Sequence, residues 1–383
     1  MGSESPLGLY LHIPFCRAKC SYCDFNSFAG QEALFEDYTT ALVREMEQAA
    51  GTRVRTIYVG GGTPTALPLS LLTRILRRAQ ELFALEPGAE ISLEANPGTV
   101  TRDSLTELRA LGVNRLSLGV QSLDDRELRL LGRIHSAAEA VEAFAAARQA
   151  DFDNINLDLI YNLPGQSLAT WRRTLQGAVA LEPDHLSLYA LSVEEGTPLA
   201  RQIARGALPQ PDADLGAEMY ETAEEVLARA GFVHYEISNW ARGEEHCCRH
   251  NLGYWRNEAY LGLGAGAHSW RHGRRWANIA SPARYTAALL AGERPLSSEE
   301  IINAELEMGE TMMMGLRLLE EGVAYDRFQA RFACDLRQRY ARELADLDQL
   351  GLIQIGPERL RLSQGGRLLG NQVFLRFLPD PAG

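Results

Sequence analysis

The sequence predicts an α/β fold, a partial (β/α)6 barrel followed by a C-terminal winged-helix-like α+β domain. Three observations carry this reading. Short β-branched or leucine-rich runs alternate with longer amphipathic stretches from residue 7 to residue 191, as parallel strands joined by crossover helices do. The alternation stops after residue 195. From about residue 298, helix-like stretches precede two short strand-like pieces, the order of a small winged helix. The expected division is 1–240 for the barrel core, 241–297 for a segment rich in His, Gly and aromatic residues, and 298–383 for the C-terminal domain.

Residues 7–13 (LGLYLHI) read as the first strand and 35–50 as the first helix. Residues 55–61 are strand-like, 69–85 helical, and 90–96 form the third strand before a helix near 101–111. The fourth strand spans 114–122, with helical stretches at 123–132 and 136–150. Strands at 154–165 and 184–191 flank a helix at 167–181. A barrel of this kind carries its site at the C-terminal strand ends. Further on, 212–231 reads as one helix and 232–241 as one strand, while 243–275 has no clean period. Helices near 302–319, 324–332 and 336–350 precede GLIQIG and RLRLS.

At 383 residues the chain is too long for one simple core. Its net charge of −12 argues against general affinity for nucleic acid or an anionic membrane, since both need a basic footprint. No apolar run approaches the ~20 residues that span a bilayer. The start, MGSESPLGLYLHIPFC, lacks the basic n-region and long apolar stretch of a signal peptide, so the expected location is cytoplasmic. Six cysteines in such a chain do not suggest a disulfide framework. Three of them, Cys16, Cys20 and Cys23, fall within eight residues directly after the first strand. Clustered thiols in a reducing compartment point to metal.

The C-x3-C-x2-C spacing lets one short loop wrap its thiolates around three irons of a [4Fe–4S] cubane. The fourth iron then lacks a protein ligand. That vacancy suits S-adenosylmethionine (SAM), which chelates through its amino and carboxylate groups. Two plainer readings compete. Structural zinc wants four ligands, and His12 or Asp24 would have to supply the fourth. A redox dithiol needs only one C-x-x-C pair and leaves Cys16 unexplained.

Further polar residues fall where the barrel mouth should be. Gly60-Gly61-Gly62-Thr63-Pro64-Thr65 follows the second strand. Three glycines permit close backbone approach to a ligand and expose N–H groups to a carboxylate. Glu94 closes the third strand, where it can accept ribose hydroxyls, or simply be solvated. Gln121 ends the fourth strand, Arg133 lies in the following L-G-R-I-H segment, and Asp158 interrupts the apolar run N-L-D-L-I. A buried charge is costly without a partner. Arg133 is a candidate partner for Asp158 or for the SAM carboxylate.

The motifs HIPFC-x3-C-x-YC, GGGTPT, EANPG, GVQS, R-x-H, LIYNLPGQ and YAL-x2-EEGT occur here in one order. That order resembles the oxygen-independent coproporphyrinogen III oxidase family of radical SAM proteins, from about residue 7 to the C-terminus. The resemblance implies a cluster on Cys16, Cys20 and Cys23. It implies SAM contacts from the residues matching Tyr10, Tyr22, Gly61, Gly62, Thr63, Glu94, Gln121, Arg133 and Asp158. Two departures single out a branch. The oxidases carry a fourth cysteine where this chain has Phe25, and an N-terminal extension for which the first strand, beginning near Leu7, leaves no room. The sequence is similar to the HemW branch, whose members are haem chaperones serving membrane-bound respiratory enzymes.

His250-Asn251-Leu252-Gly253-Tyr254-Trp255 matches the HNxxYW motif associated with that branch. An imidazole can ligate haem iron, and Tyr254 and Trp255 can lie against a porphyrin face. A histidine satisfied inside a small aromatic cluster is the rival reading, and Cys247, Cys248, His246 and His268 are rival ligands. The run G-L-G-A-G-A-H from Gly262 lacks dinucleotide-fingerprint spacing and reads as a close-packed glycine turn. From residue 298 the chain carries 14 acidic and 10 basic side chains, so the winged-helix-like domain is expected to contact protein rather than DNA. Met308, Met312, Met313 and Met314 read as helix core. Cys334 reads as a buried small hydrophobe. The expected cofactors are the [4Fe–4S] cluster, SAM and haem, with no residue in a catalytic role. The expected partners are haem and haem-accepting respiratory membrane proteins, with a homodimer as the candidate assembly. The alternative function is radical decarboxylation of coproporphyrinogen III.

Overall fold

The structure is a computed structural model that describes residues 5–379. Its centre is a row of parallel strands: β1 (Leu7–Ile13), β2 (Arg53–Gly61), β3 (Ala84–Ala95), β4 (Arg115–Gln121), β5 (Ile155–Tyr161) and β6 (His185–Ala190). They pair side by side in chain order. Helices α1 (Phe35–Gln48), α2 (Leu69–Leu82), α3 (Arg102–Ala110), α4 (Asp125–Leu131), α5 (Ala137–Gln149) and α6 (Leu168–Ala180) fill the crossovers. The six expected βα units are all present. Thr101, Asp124, Ser136 and Ser167 accept backbone N–H groups at four helix starts, each cap contributing about 1 kcal/mol.

Strand side chains alternate between two faces, and here the faces differ in chemistry. Leu9, Leu11, Ile57, Leu93, Leu118 and Leu157 are fully buried in the main apolar core. The opposite face lines the bore and is polar. There Tyr58 bonds Glu94, and Ser117, Asn156, Asp158 and Ser187 form one hydrogen-bonded group.

The sheet does not stop at six strands. Helices α7 (Pro198–Ala204) and α8 (Ala213–Arg229) lead to β7 (Val233–Glu236) and β8 (Asn239–Ala241), which add antiparallel strands beyond β6. The single strand expected over 232–241 is therefore two strands folded back on each other. The region without a clean period holds helix α9 (Arg249–Trp255), then β9 (Tyr260–Leu263), β10 (His268–Arg271) and β11 (Arg274–Asn278). Strand β9 lies parallel to β1 on its free side. After α10 (Pro282–Leu290), strand β12 (Leu296–Ile301) completes a twelve-stranded sheet. These elements are too short to show a period in sequence. Strands β8 and β12 run across the expected boundaries at residues 240 and 298.

The C-terminal unit comprises α11 (Ala304–Gly315), β13 (Val323–Ala324), α12 (Tyr325–Phe332), α13 (Leu336–Arg339), α14 (Ala341–Gln349), β14 (Ile353–Ile355), β15 (Arg359–Leu362), α15 (Gln364–Leu368) and α16 (Gly370–Leu375). Its three strands form a separate sheet in the order β13-β15-β14. The helix expected over 336–350 is interrupted at Tyr340. Met312 is buried in this unit's own core, with half-buried Met308, Met313 and Cys334 packed against it, so the core reading holds fully for Met312 and in part for those three, and half-buried Met314 lies outside that core. The unit is tied to the barrel by Ile237 N–H donating to Arg317 O (3.1 Å) and Leu319 N–H to Tyr235 O (3.0 Å). A bidentate Arg256–Glu321 pair reinforces the junction.

Candidate functional site

The three cysteines sit on the loop that leaves the C-terminal end of β1. The loop is held on several sides. Ser21 N–H donates to Leu131 O (2.9 Å) and Ser21 Oγ to Leu130 O (2.8 Å), tying it to the end of α4. Asn26 Nδ2 donates to Ala265 O (2.9 Å) and Ala280 O (3.0 Å). The glycine run from Gly262 is thus a packed turn beneath the loop. A Cβ on Gly266, at φ 75°, would lie 2.4 Å from Asn26 Nδ2.

Each thiol has a polar neighbour. Thr63 Oγ1 donates to Cys16 Sγ (3.6 Å), Arg133 Nη1 to Cys20 Sγ (3.3 Å), and Ser27 Oγ lies 3.6 Å from Cys23 Sγ. Burial pushes the Cys16 thiol up, hydrogen bonds from Thr63 and Ser27 oppose that, and Cys20 and Cys23 are near enough to repel its thiolate. Among the described residues, no three His, Cys, Asp or Glu side chains are gathered closely enough to share one metal ion.

The triglycine wall stands against this loop. A Cβ on Gly62 would lie 2.7 Å from Phe15 O and 3.0 Å from Cys16 Sγ, and one on Gly60 would lie 2.9 Å from Glu94 Oε2. Close approach is therefore the reason for glycine at both positions. The expected free N–H groups are not there. Gly61 N–H donates to Glu94 Oε2 (3.0 Å), Gly62 N–H to Ile13 O (2.9 Å) and Thr63 N–H to Phe15 O (2.7 Å). The backbone at and just after the end of β1 takes two of these donors, and the Glu94 carboxylate takes the third.

Glu94 points into the bore with one oxygen on Gly61 N–H and the other on the Tyr58 hydroxyl (2.8 Å). Burial pushes its carboxyl up to about 7, against the pull of those two hydrogen bonds. Asp158 accepts from Ser117 Oγ (2.9 Å) and Asn156 Nδ2 (2.9 Å). Burial raises its carboxyl as well, and Arg115 is the cation that counters this. The suggested Arg133–Asp158 pair is not formed. Arg133 Nη2 donates to Asn96 Oδ1 (2.8 Å) and Gly119 O (2.6 Å), drawn toward the cysteine loop by Cys20. Its Nε is buried without a partner. Gln121 ends β4 in the left-handed region at φ 69°, a strain of order 1 kcal/mol for a non-glycine residue. The Tyr10 hydroxyl meets His12 Nδ1 (3.0 Å), and Tyr22 packs beside Leu131 and Leu163 with its hydroxyl in the field of Arg133.

The residues present fit a cluster and a chelating nucleoside ligand. The donor set is three thiols on one loop, the glycines let the cysteine loop and Glu94 close in on the end of β2, and the buried Arg133 Nε has no partner. Sequence reasoning missed Tyr58, Asn96, Ser27 and Tyr189, the last standing 42% exposed at the end of β6. Tyr58 was findable, because period-two alternation places it on the same face as Gly60.

His250 lies elsewhere. Its ring is 3% exposed, with Nδ1 against Thr56 Oγ1 (2.8 Å) and Nε2 against the Tyr254 hydroxyl (2.9 Å). Burial pushes its pKa down to about 3, aided by Arg55 and Arg115. A neutral imidazole has one N–H and one lone pair, and both are used here. Both ring nitrogens of His250 are thus hydrogen-bonded here, the arrangement of the rival reading, a histidine satisfied inside an aromatic cluster. Cys247 and Cys248 are buried thiols pushed up to about 12, so neither is a ready thiolate.

This geometry, a parallel barrel with a three-cysteine loop and a glycine wall at its mouth, defines a radical SAM protein. The Radical SAM superfamily model matches residues 10–177, and that of the HemN C-terminal domain matches residues 302–369. The solved coproporphyrinogen III oxidase HemN of Escherichia coli superposes with a TM-score of 0.84 at 25% identity, covering 98% of this chain and 90% of that one. The chain belongs to the HemW family. It is 40% identical to "Heme chaperone HemW" of Mycobacterium tuberculosis over 97% of this chain and 95% of the relative. It is 37% identical to the Escherichia coli protein of that name over 98% and 99%.

Proposed function

We propose that this chain is a haem chaperone. It holds a [4Fe–4S] cluster on Cys16, Cys20 and Cys23 and SAM at the barrel mouth, binds haem, and passes it to haem-accepting respiratory proteins of the membrane. The observation that carries the reading is similarity along nearly the whole chain to relatives named for haem chaperoning. Phe25 agrees with it: the loop ends in a 67% exposed aromatic ring and not in a fourth thiol.

When bound, the cluster and SAM supply one-electron cleavage of a sulfonium. The chain's own residues hold and orient. Thr63, Ser27 and Arg133 donate toward the sulfurs, which stabilises thiolates over thiols. Glu94 offers an acceptor for ribose hydroxyls, and Arg133 offers its unpaired Nε to a carboxylate. No described helix is long and apolar enough to cross a membrane.

The retained SAM wall also favours a second reading, radical decarboxylation of coproporphyrinogen III. One anaerobic experiment separates the two. The reconstituted chain is titrated with haem, and assayed with a strong reductant for deoxyadenosine and protoporphyrinogen. A Soret shift on titration without porphyrinogen turnover is expected. Turnover to protoporphyrinogen, or an absent Soret shift, overturns the chaperone reading. Cys20→Ala is expected to lose the brown colour and most bound iron; a variant keeping full iron and sulfide refutes the cluster assignment.

A further inference from the structure

Helix α9 closes the bore from below. It meets Gly8, Thr56 and Glu90, which lie side by side in register across β1, β2 and β3, whereas the cysteine loop and Glu94 lie further toward the C-terminal strand ends. Glu90 turns inward and accepts the first N–H groups of α9, from Arg249 (2.9 Å) and His250 (3.1 Å). The helix is thereby fastened to the barrel floor by a carboxylate at its positive end. Gly8 leaves the space that the imidazole fills, since a Cβ there would lie 3.2 Å from His250 Cε1.

The ring so held is the base of a stack. His250 lies against Tyr58 with centroids 5.2 Å apart and planes 29° from parallel, and Tyr10 meets Tyr58 at 6.2 Å and 30°. Tyr58 spans the distance from this floor to the mouth, where its hydroxyl holds Glu94 Oε1 at 2.8 Å. Glu94 therefore owes its aim to two groups, the Gly61 N–H beside it and the tyrosine beneath it.

We propose that His250 is a positioning residue of the SAM site, acting through the Tyr58 ring on the Glu94 carboxylate. This rests on the reading that Glu94 receives SAM. The histidine of the HNxxYW motif then serves the mouth of the barrel from its floor. Thr56 and Tyr254 clamp its two nitrogens, which stops the ring from tilting. A tilt would let Tyr58 sink and swing the carboxylate off the sugar. Catalytic protein positioning is sensitive at this scale, because displacements of about 1 Å cost large factors in productive binding.

The test uses the full chain, reconstituted anaerobically, with SAM affinity measured by equilibrium dialysis and the reduced cluster's EPR spectrum recorded with and without SAM. Glu94→Ala, Tyr58→Phe, His250→Ala, His250→Gln and the Tyr58→Phe/His250→Ala pair are compared. His250→Ala is expected to weaken SAM about tenfold with iron content unchanged and to blunt the SAM-induced EPR change. The double variant is expected to lose no more than the larger single loss, since both residues act along one line. His250→Gln, which retains a donor and an acceptor, is expected to recover part of the affinity. The Soret band of the haem complex stays in place. Should His250→Ala fail to fold, Tyr254→Phe frees one nitrogen of the clamp and is expected to weaken SAM threefold or more. SAM affinity within twofold of wild type in the His250 or Tyr254 variant, alongside a weakened Glu94→Ala, overturns this inference alone. Unchanged affinity in Glu94→Ala overturns the SAM reading beneath it.

Discussion

Glu94 is where burial and binding oppose each other most directly. With its carboxyl raised to about 7, it is largely protonated at pH 6 and largely ionised at pH 8. Only the ionised form accepts from both ribose hydroxyls while keeping Tyr58 and Gly61 as donors. SAM affinity is therefore expected to rise as pH climbs from 6 to 8, by up to about tenfold per unit below the pKa. Glu94→Gln, which cannot ionise, should be weak and flat across that range, and equilibrium dialysis at pH 6, 7 and 8 checks it. A wild-type profile as flat as the variant's would contradict this account. At this scale the cysteines, the triglycine and Glu94 were legible because each stands at a strand end, where chain order alone predicts the site. The surroundings of His250 were not. They depend on a helix from far along the chain tucking beneath the bore, which spacing cannot reveal. Of the two partners offered for Arg133, Asp158 is not one, since it is satisfied by Ser117 from the adjacent strand and Asn156 from its own.

Among the elements, the cysteine loop depends most on support from outside itself. Asn26 bridges it to two carbonyls of the glycine turn and its continuation. Asn26→Ala removes both bonds; water can replace the one to exposed Ala280, and loss of the part-buried one to Ala265 costs about 1 kcal/mol. Thermal melting is expected to fall by several degrees, and iron loss to a chelator to quicken under anaerobic conditions. Unchanged iron release would show that the loop holds its shape without this bridge. The six long strands and their helices were readable because each runs seven or more residues, or nearly so, with caps and turns between. The added strands run three to six residues, mostly at or below the short end of the range in which alternation marks a strand, and no regular helices separate them. Strand β9 escaped for that reason, although it gives β1 its second neighbour.

Over the whole molecule, barrel and C-terminal unit have separate apolar cores joined by a polar seam. Glu321 is central to that seam, accepting from Arg256 in two bonds and pairing with Arg327. Arg327 is mostly exposed and contributes little, whereas Arg256 is partly enclosed. Glu321→Ala is expected to cost about 1–3 kcal/mol and to separate the thermal transition into two, read by calorimetry. A single, unshifted transition would mean that the backbone links through Arg317 and Leu319 suffice.

The pairing of β1 with β9 has a consequence for the birth of the protein. The first strand and its thiols leave the ribosome early, but their flanking strand, and the floor with it, is encoded some 240 residues downstream. Until that late segment arrives, the nascent chain has an open edge and an unsealed bore. The cysteine loop therefore gains its full backing only once that late segment has emerged.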